Sequence, residues 1–389
     1  MKVLFIASDN NYTSGAFLSM IKLNQLLRSE YDIYTYVILP NEGDGVELLE
    51  NEGIPFEIVN SRNWVVDIEE GMTEEREKKK EKELKSNTKA INRIIEIIQE
   101  KKIDIVHINT TYSYVGAVAA KKTRTPYIWH LREFLEEDQH RKIWDKEKGY
   151  QLIGEADAII AISNSIYNKY QEFFSDKLHT IYNGIDEKQF WNPNKIVFEN
   201  EIISFGMTGG IVPHKGQEEL IRACGILKNR NIQNFRVHFY GKGKEEYKEY
   251  LLKIVKECNI EDNVFFEGPT SNVSEALKFI DVLFVCSKNE AFGRTTVEGM
   301  MSGCVVVGAD TAGTTELLEN GKSGFMYKQG SSESLANVIE KILKDKSTAN
   351  AIRNIGQEVA LYKYNAHKNA EEIHELYKSV LVNREKKNG

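Results

Sequence analysis

At 389 residues, 41% apolar and 28% charged, the chain has the composition of a soluble globular protein with enough core for two domains. A net charge of −7 argues against a global nucleic-acid footprint, and four scattered cysteines without a CxxC argue against a disulfide framework or a zinc site. No stretch reaches membrane-span length and the apolar run of MKVLFIASDN is short for a secretion signal, so a reducing cytoplasm is the expected location.

The first half alternates strand and helix. KVLFIAS reads as a strand, DNNYTSGA as a loop and FLSMIKLNQLLRSE as a helix. YDIYTYVIL, IPFEIVN, IDIVHIN, PYIWHL, AIIAIS and LHTIYN follow as strands with helical segments between them. One segment differs: residues 73–102 begin as a charge run and end as an amphipathic helix, with Ile91, Ile94, Ile95 and Ile98 at i, i+3, i+4 and i+7. It reads as a helix with one buried face and a solvated extension. The alternative is a peripheral contact with the inner face of a membrane or with a partner protein, which its near balance of acids and lysines weakens. A polar break, NGIDEKQFWNPNKIVFEN, holds two turn signals and places a domain boundary at 190/191. A second alternating series follows, with IISFGMT, FRVHFYG, NVFFEG, VLFVCS, CVVVGAD and FMYKQG as strands. The helices between and after them are GQEELIRACGILKN, EEYKEYLLKIVKECN, SEALKFID, GRTTVEGMMSG, SESLANVIEKILKD and a tail. Two doubly wound, Rossmann-like α/β domains facing a cleft are expected, 1–190 and 191–365, with a C-terminal helix at about 366–385 packing back on the first.

The most informative stretch is NEAFGRTTVEGM, residues 289–300. It joins one apolar run to a crossover helix, the place where open parallel sheets take ligands. Gly293 allows close approach of a ligand to the backbone, and the amides of Arg294, Thr295 and Thr296 open a helix whose N-terminus favours an anion. Glu290 and Glu298 flank that anion site. Phosphate on the amides and hydroxyls on the two acids describe a nucleotide-sugar.

With these elements in order, the chain resembles the retaining nucleotide-sugar glycosyltransferases of the GT-B fold, glycosyltransferase family 4. EAFGRTTVE is similar to that family's Glu-x7-Glu motif, GGIVPHKG (209–216) to its phosphate-binding loop, FYGKGKEEYKEYL to its Gly-x-Gly element and YNGIDEKQF to its Asn-Gly-Val-Asp segment. The resemblance implies that Glu290 contacts the hydroxyls of the donor sugar, Glu298 binds the ribose diol and Lys215 neutralises the diphosphate. It also implies that backbone around Gly209, Gly210, Phe292, Gly293, Arg294, Thr295 and Thr296 holds phosphate or sugar, and that GPTSN (268–272) lies near the base. The family commonly has an arginine where this chain has Gly210, and Arg294 is the nearest replacement in sequence, ahead of Lys242 and Lys244.

In the first half the resemblance places Gly15 of TSGA in a loop closing on the donor phosphates and His130 of WHLREF beside the reacting sugar, so that His130, Lys215 and Glu290 form the catalytic set. His130 reads equally as a packed strand-end histidine. His107 ranks below it, Asn183 reads as an interdomain hydrogen bond, and Ser163 with Asn164 as an N-cap pair. The implied reaction moves a sugar from a nucleoside diphosphate, UDP favoured, to the hydroxyl of a glycan or lipid-linked acceptor with retention, in building a surface polysaccharide or glycolipid. No metal and no cofactor are called for, because no DxD-type motif stands at a strand end. Three rivals differ in class. A non-catalytic GT-B subunit stabilising a partner transferase would lose Glu290, Glu298 and Lys215. A sugar-nucleotide epimerase would need another acid–base set, and a solute-binding protein would carry a secretion signal.

Overall fold

The computed structural model describes residues 1–68, 73–270 and 272–388, and divides into two units, Met1–Gly184 with Ala366–Gly389, and Ile185–Asn365. In the first unit the strands run β1 (Lys2–Ile6), β2 (Tyr34–Leu39), β3 (Phe56–Ile58), β4 (Val65–Asp67), β5 (Ile105–Ile108), β6 (Tyr127–Leu131), β7 (Arg141–Ile143), β8 (Ala158–Ala161) and β9 (Leu178–Thr180). Seven of them form one parallel sheet in the order β3-β2-β1-β5-β6-β8-β9. Every residue of β5, β6 and β8 is buried, as expected of strands covered by helices on both faces, and this is why they read as unbroken apolar runs.

The antiparallel pair β4–β7 is absent from the sequence reading. Each strand is three residues long, too short to display a period, and Arg141 is fixed there by its ion pair with Asp67 at 2.9 Å. The charged segment divides into two helices, Glu74–Ser86 and Thr88–Lys101, at Asn87. The buried Asn87 side chain accepts from the Arg62 amide and donates to the Arg62 carbonyl, both at 2.8 Å, which anchors the junction. In the second helix Ile91, Ile94, Ile97 and Ile98 are the buried isoleucines; Ile95 is only half-buried, so the stripe lies slightly round the helix from the predicted one. No side chain of the first helix is buried.

The helix Ala366–Asn388 returns to the first unit. Ala366, Ala370, Ile373, Tyr377 and Val380 repeat at intervals of four and three and enter the core that holds Val3, Phe5 and Leu27. Its far end is pinned by Arg384, which donates to both oxygens of Asp157 at 2.8 and 3.1 Å. The division between units falls at 184/185, ahead of the expected 190/191, because the Ile185 amide donates to the Tyr364 carbonyl at 2.8 Å and the residue bridges Asn365.

The second unit has β10 (Ile203–Thr208), β11 (Phe235–Tyr240), β12 (Val264–Gly268), β13 (Val282–Val285), β14 (Val305–Ala309) and β15 (Phe325–Tyr327), all parallel, in the order β12-β11-β10-β13-β14-β15. A helix not anticipated, Lys346–Lys363, packs here. Its buried face includes Arg353, Gly356, Gln357 and Ala360, which give little apolar periodicity. The polar members are bonded: Gln357 Nε2 donates to the Met301 and Asn192 carbonyls at 2.9 and 2.8 Å, and Arg353 Nη1 to the Gly303 carbonyl at 3.3 Å.

Ile373→Ala tests how far the returning helix stabilises the first unit. Removing a fully buried isoleucine side chain should cost about 2–5 kcal/mol, read as a lower urea midpoint with an unchanged slope. An unchanged midpoint would mean that the helix contributes nothing to that core.

Candidate functional site

The second sheet begins at β10, runs outward through β11 to β12, and resumes on the other side of β10 with β13. The carboxyl ends of β10 and β13 are therefore a topological switch point, where open sheets take ligands. The loops leaving these two strands carry most of the predicted residues.

The loop after β10 turns at Gly209, whose φ of 117° lies where side chains are disfavoured. It runs along the loop after β11: the Gly209 amide donates to the Tyr240 carbonyl and the Ile211 amide to the Lys242 carbonyl, both at 2.9 Å. A Cβ at Gly241 would collide with the Gly209 carbonyl, so the GKG element is needed for backbone contact between loops. Gly210 is different. A Cβ there would meet nothing nearer than Val212 at 3.8 Å, so a larger side chain has room. A single turn, Pro213–Lys215, then leads to Gly216, with φ 77° and a Cβ position blocked by the Cys286 carbonyl. The helix Gln217–Asn229 starts there without a side-chain cap.

The loop after β13 is tied to the first by the Lys288 amide, which donates to the His214 carbonyl at 2.9 Å. The Glu290 carbonyl accepts from the Gly313 amide at 2.9 Å, so the loop after β14 holds the Glu290 backbone from behind. Its carboxylate then meets Lys215 Nζ at 2.6 Å, with the two side chains 17% and 30% exposed. Burial pushes the Glu290 carboxyl up, but the Lys215 charge and hydrogen bond, with help from Ser287 and His214, outweigh it and hold it below the ordinary carboxylate range.

Gly293, at φ 93°, starts the helix Arg294–Met301, again without a side-chain cap. One turn in, Glu298 Oε1 accepts from Arg294 Nη2 at 3.0 Å. The Thr296 amide donates to the Gly293 carbonyl at 3.0 Å within that first turn, which corrects the expectation that it faces an anion. Its side chain is fully buried, with Oγ1 lacking a hydrogen-bond partner among the described residues. The Phe292 ring is also buried, edge-on to Tyr364 at 5.9 Å, so only its backbone could serve a ligand. In the GPTSN segment the Gly268 carbonyl accepts from the Gly241 amide at 2.8 Å and Asn272 caps the next helix; Ser271 lies outside the described residues.

In the first unit Gly15 opens the helix Gly15–Tyr31 directly behind its N-cap, Ser14. Ser14 also donates to Asp9, whose carboxyl burial pushes up. His130, in β6, is fully buried. Its Nδ1 lies 3.1 Å from Arg132 Nη2 and 3.1 Å from Nε2 of His107 on the adjacent β5, whose Nδ1 is 2.6 Å from the Tyr377 hydroxyl. Burial and the Arg132 charge push both imidazoles far down, His107 to about 3, so they are neutral. Arg132 also donates to the Asn109 carbonyl at 2.9 Å and to Asn183 Oδ1 at 2.5 Å, so Asn183 is bonded within its own unit. Next to it, Glu133 accepts from the Thr111 amide and hydroxyl, and burial raises its carboxyl to about 7 despite them. Ser163 is the N-cap of the helix Asn164–Phe174.

The geometry thus brings together Lys215 with Glu290, Arg294 with Glu298, and His130 with His107. Sequence reasoning passed over Arg132 and Glu133, both inside the quoted WHLREF, and Tyr377, which stands 270 residues from its partner. Among the described residues no group of three or more His, Cys, Asp or Glu side chains is gathered to hold a metal ion, and no helix is long and apolar enough to cross a membrane.

Two family models match in tandem: Glycosyltransferase Family 4 over residues 60–189, and Glycosyl transferases group 1 over residues 189–359. The N-acetyl-alpha-D-glucosaminyl L-malate synthase of Bacillus anthracis is 25% identical over 252 residues, 61% of this chain and 63% of that one, so the match spans less than two thirds of the synthase. The capsular polysaccharide biosynthesis glycosyltransferase CapM of Staphylococcus aureus is 24% identical over 329 residues, 78% of this chain and 83% of that one. The crystal structure of Anabaena Alr3699/HepE in complex with UDP and glucose superposes with a TM-score of 0.81 at 23% identity, covering 97% of this chain and 100% of that one.

Lys215→Met should lower stability by about 2 kcal/mol at pH 7, because it leaves a mostly buried carboxylate unpaired. In the parent, the low Glu290 value contributes stability above its ordinary 4.5, and that contribution is lost as pH falls through the folded value. The difference in Tm between parent and variant should therefore shrink between pH 7 and pH 4. An equal difference at both would mean that the pair is solvated.

Proposed function

The chain is a family 4-like member of the GT-B glycosyltransferases, and we propose that it transfers a sugar from a nucleoside diphosphate, UDP favoured, to an acceptor hydroxyl, with retention and without a metal ion. The observation that carries this reading is the Lys215–Glu290 pair at 2.6 Å on the β10/β13 switch point, one short turn from a helix N-terminus that no side chain caps. It supplies one cation for a diphosphate and one carboxylate for sugar hydroxyls on adjoining loops.

In this reading Lys215 and the N-terminus of the helix Arg294–Met301 receive the diphosphate, with Gly209 and Gly210 offering open backbone beside it. Arg294 is the second cation, in place of the arginine that Gly210 lacks; its guanidinium is 3.0 Å from Glu298, the proposed ribose ligand. A carboxylate accepting from both hydroxyls of a cis-diol makes two charge-assisted bonds. Glu290 takes the donor sugar, and the backbone of Phe292, Gly293 and Thr295 completes the cradle. The family resemblance assigns Gly15 to the donor phosphates, Gly268 and Asn272 to the base, and His130 to the reacting sugar. As the carbon–oxygen bond to the diphosphate breaks, negative charge grows on the departing oxygen, and Lys215, Arg294 and the helix dipole stabilise it more in the transition state than before. That oxygen takes the acceptor proton on the face where the new bond forms, which gives retention without a covalent enzyme intermediate. The name of CapM supports a surface glycan as the product, and the UDP in Alr3699/HepE supports the choice of base. The location is then the cytoplasm, at the inner face of the membrane where lipid-linked acceptors stand.

Glu298→Ala should weaken UDP binding by about ten- to a hundredfold, the value of hydrogen bonds to a charged group, while the fold survives. Calorimetry with UDP measures this, and unchanged affinity would sink the ribose assignment. A panel of nucleotide-sugars screened by thermal shift identifies the donor, since a ligand at a hundred times its Kd adds about 2.7 kcal/mol. With that donor, transfer should persist in EDTA. Loss on chelation with recovery on magnesium or manganese would refute the metal-independent route.

A further inference from the structure

The first unit contains a run of buried polar contacts of which the donor-side reading uses only His130: Tyr377 on the returning helix, His107 on β5, His130 on β6 and Arg132 just after it. Its direction can be worked out. A guanidinium only donates, so His130 Nδ1, 3.1 Å from Arg132 Nη2, presents a lone pair. His107 Nε2, 3.1 Å from that same Nδ1, must then carry its proton toward it. His107 Nδ1 is left with a lone pair, and the Tyr377 hydroxyl at 2.6 Å donates to it. In a neutral imidazole one nitrogen holds the proton, so the proton of His130 is on Nε2. That atom is buried and has no hydrogen-bond partner among the described residues. The His107 ring is itself held in place, stacked on Phe5 at 4.8 Å and edge-on to Tyr377 at 5.9 Å.

We propose that Arg132 and the Tyr377–His107 pair lock His130 into the tautomer protonated at Nε2, so that His130 serves transfer as a neutral hydrogen-bond donor and not as a proton acceptor. This rests on the reading of the chain as a sugar transferase, and it deepens the role of one residue in it. Arg132 and His107 both stand 3.1 Å from Nδ1, and the Arg132 guanidinium, which can only donate, cannot bond the other tautomer there. Arg132, His107 and Tyr377 are positioning residues here. His130 is the group that meets the sugar, and the unbonded Nε2–H is the end of the chain that a substrate oxygen completes. A buried donor left unsatisfied is costly, so a hydroxyl or ring oxygen placed there is held strongly and in one direction.

The test has a spectroscopic arm and a kinetic arm. In protein labelled with 15N-histidine and without any substrate, His130 should show a protonated Nε2 and an unprotonated Nδ1. A proton on Nδ1, or on both nitrogens, at neutral pH would overturn the proposal. Tyr377→Phe keeps the ring and removes the donor to His107. It should move the His107 and His130 resonances toward tautomer averaging and lower kcat severalfold, with the donor KM unchanged. Unchanged spectra with unchanged kcat would remove Tyr377 from the lock. His130→Ala should lower kcat by about a hundredfold, as loss of one oriented donor does, whereas His130→Gln, which keeps an N–H, should recover to within about tenfold of the parent. Equal loss in the two variants would mean that a donor is not what the position supplies. The spectra need no sugar or acceptor, so absence of transfer with every donor tried would sink the glycosyltransferase reading and leave the tautomer result standing on its own.

Discussion

A lysine and a carboxylate, 2.6 Å apart, join the loops after β10 and β13, and the arrangement around the switch point depends on that pair. Two mostly buried opposite charges are costly to desolvate, and the fold accepts the cost by bonding them to each other and by fixing the backbone of both loops. Gly216 fits against Cys286, the Lys288 amide bonds the His214 carbonyl, and the Gly313 amide bonds that of Glu290. Without these backbone ties the pair would be one of many flexible surface bridges worth little. With them it is a fixed ion pair, and in the proposed function an incoming diphosphate replaces the carboxylate as the partner of Lys215 and leaves Glu290 to accept from sugar hydroxyls.

The parts of the fold that were legible in the sequence are those whose signal is local. The central strands of the two parallel sheets read as apolar runs because burial on both faces leaves no room for alternation, as β6 and β14 illustrate, whereas β11 and β12 alternate buried and more exposed residues. The helix Lys346–Lys363 was missed because its inward face includes Gly356 and Ala360, which carry little apolar signal, and Arg353 and Gln357, which are buried by hydrogen bonding to the ends of other elements. The strands β4 and β7 were missed because three residues display no period and their pairing spans 74 residues between Asp67 and Arg141.

The candidate site divides along the same line. The Glu290–Glu298 motif was visible because it sits on one loop and one helix turn, and Ser163 announced itself as an N-cap by its neighbours alone. His130 could be placed at a strand end but not interpreted, because its protonation state depends on Arg132 two residues on and on Tyr377, which no local pattern connects to it. Gly241 of the GKG element is needed where two backbones touch, a packing requirement that the letters alone do not display.

The first unit is discontinuous in the chain, since its last helix follows the whole of the unit Ile185–Asn365. On the ribosome this orders events. At about 5–20 residues per second, the 181 residues from 185 to 365 take roughly ten to forty seconds to make. Throughout that time the groove that will receive Ile373, Tyr377 and Val380 is open, and His107 lacks the hydroxyl that caps it. The half that begins the chain is thus the half that finishes last. A nascent polypeptide halted just before residue 366 carries a complete second unit behind a first one with its apolar interior exposed, and such a fragment is the form most exposed to chaperones and to aggregation.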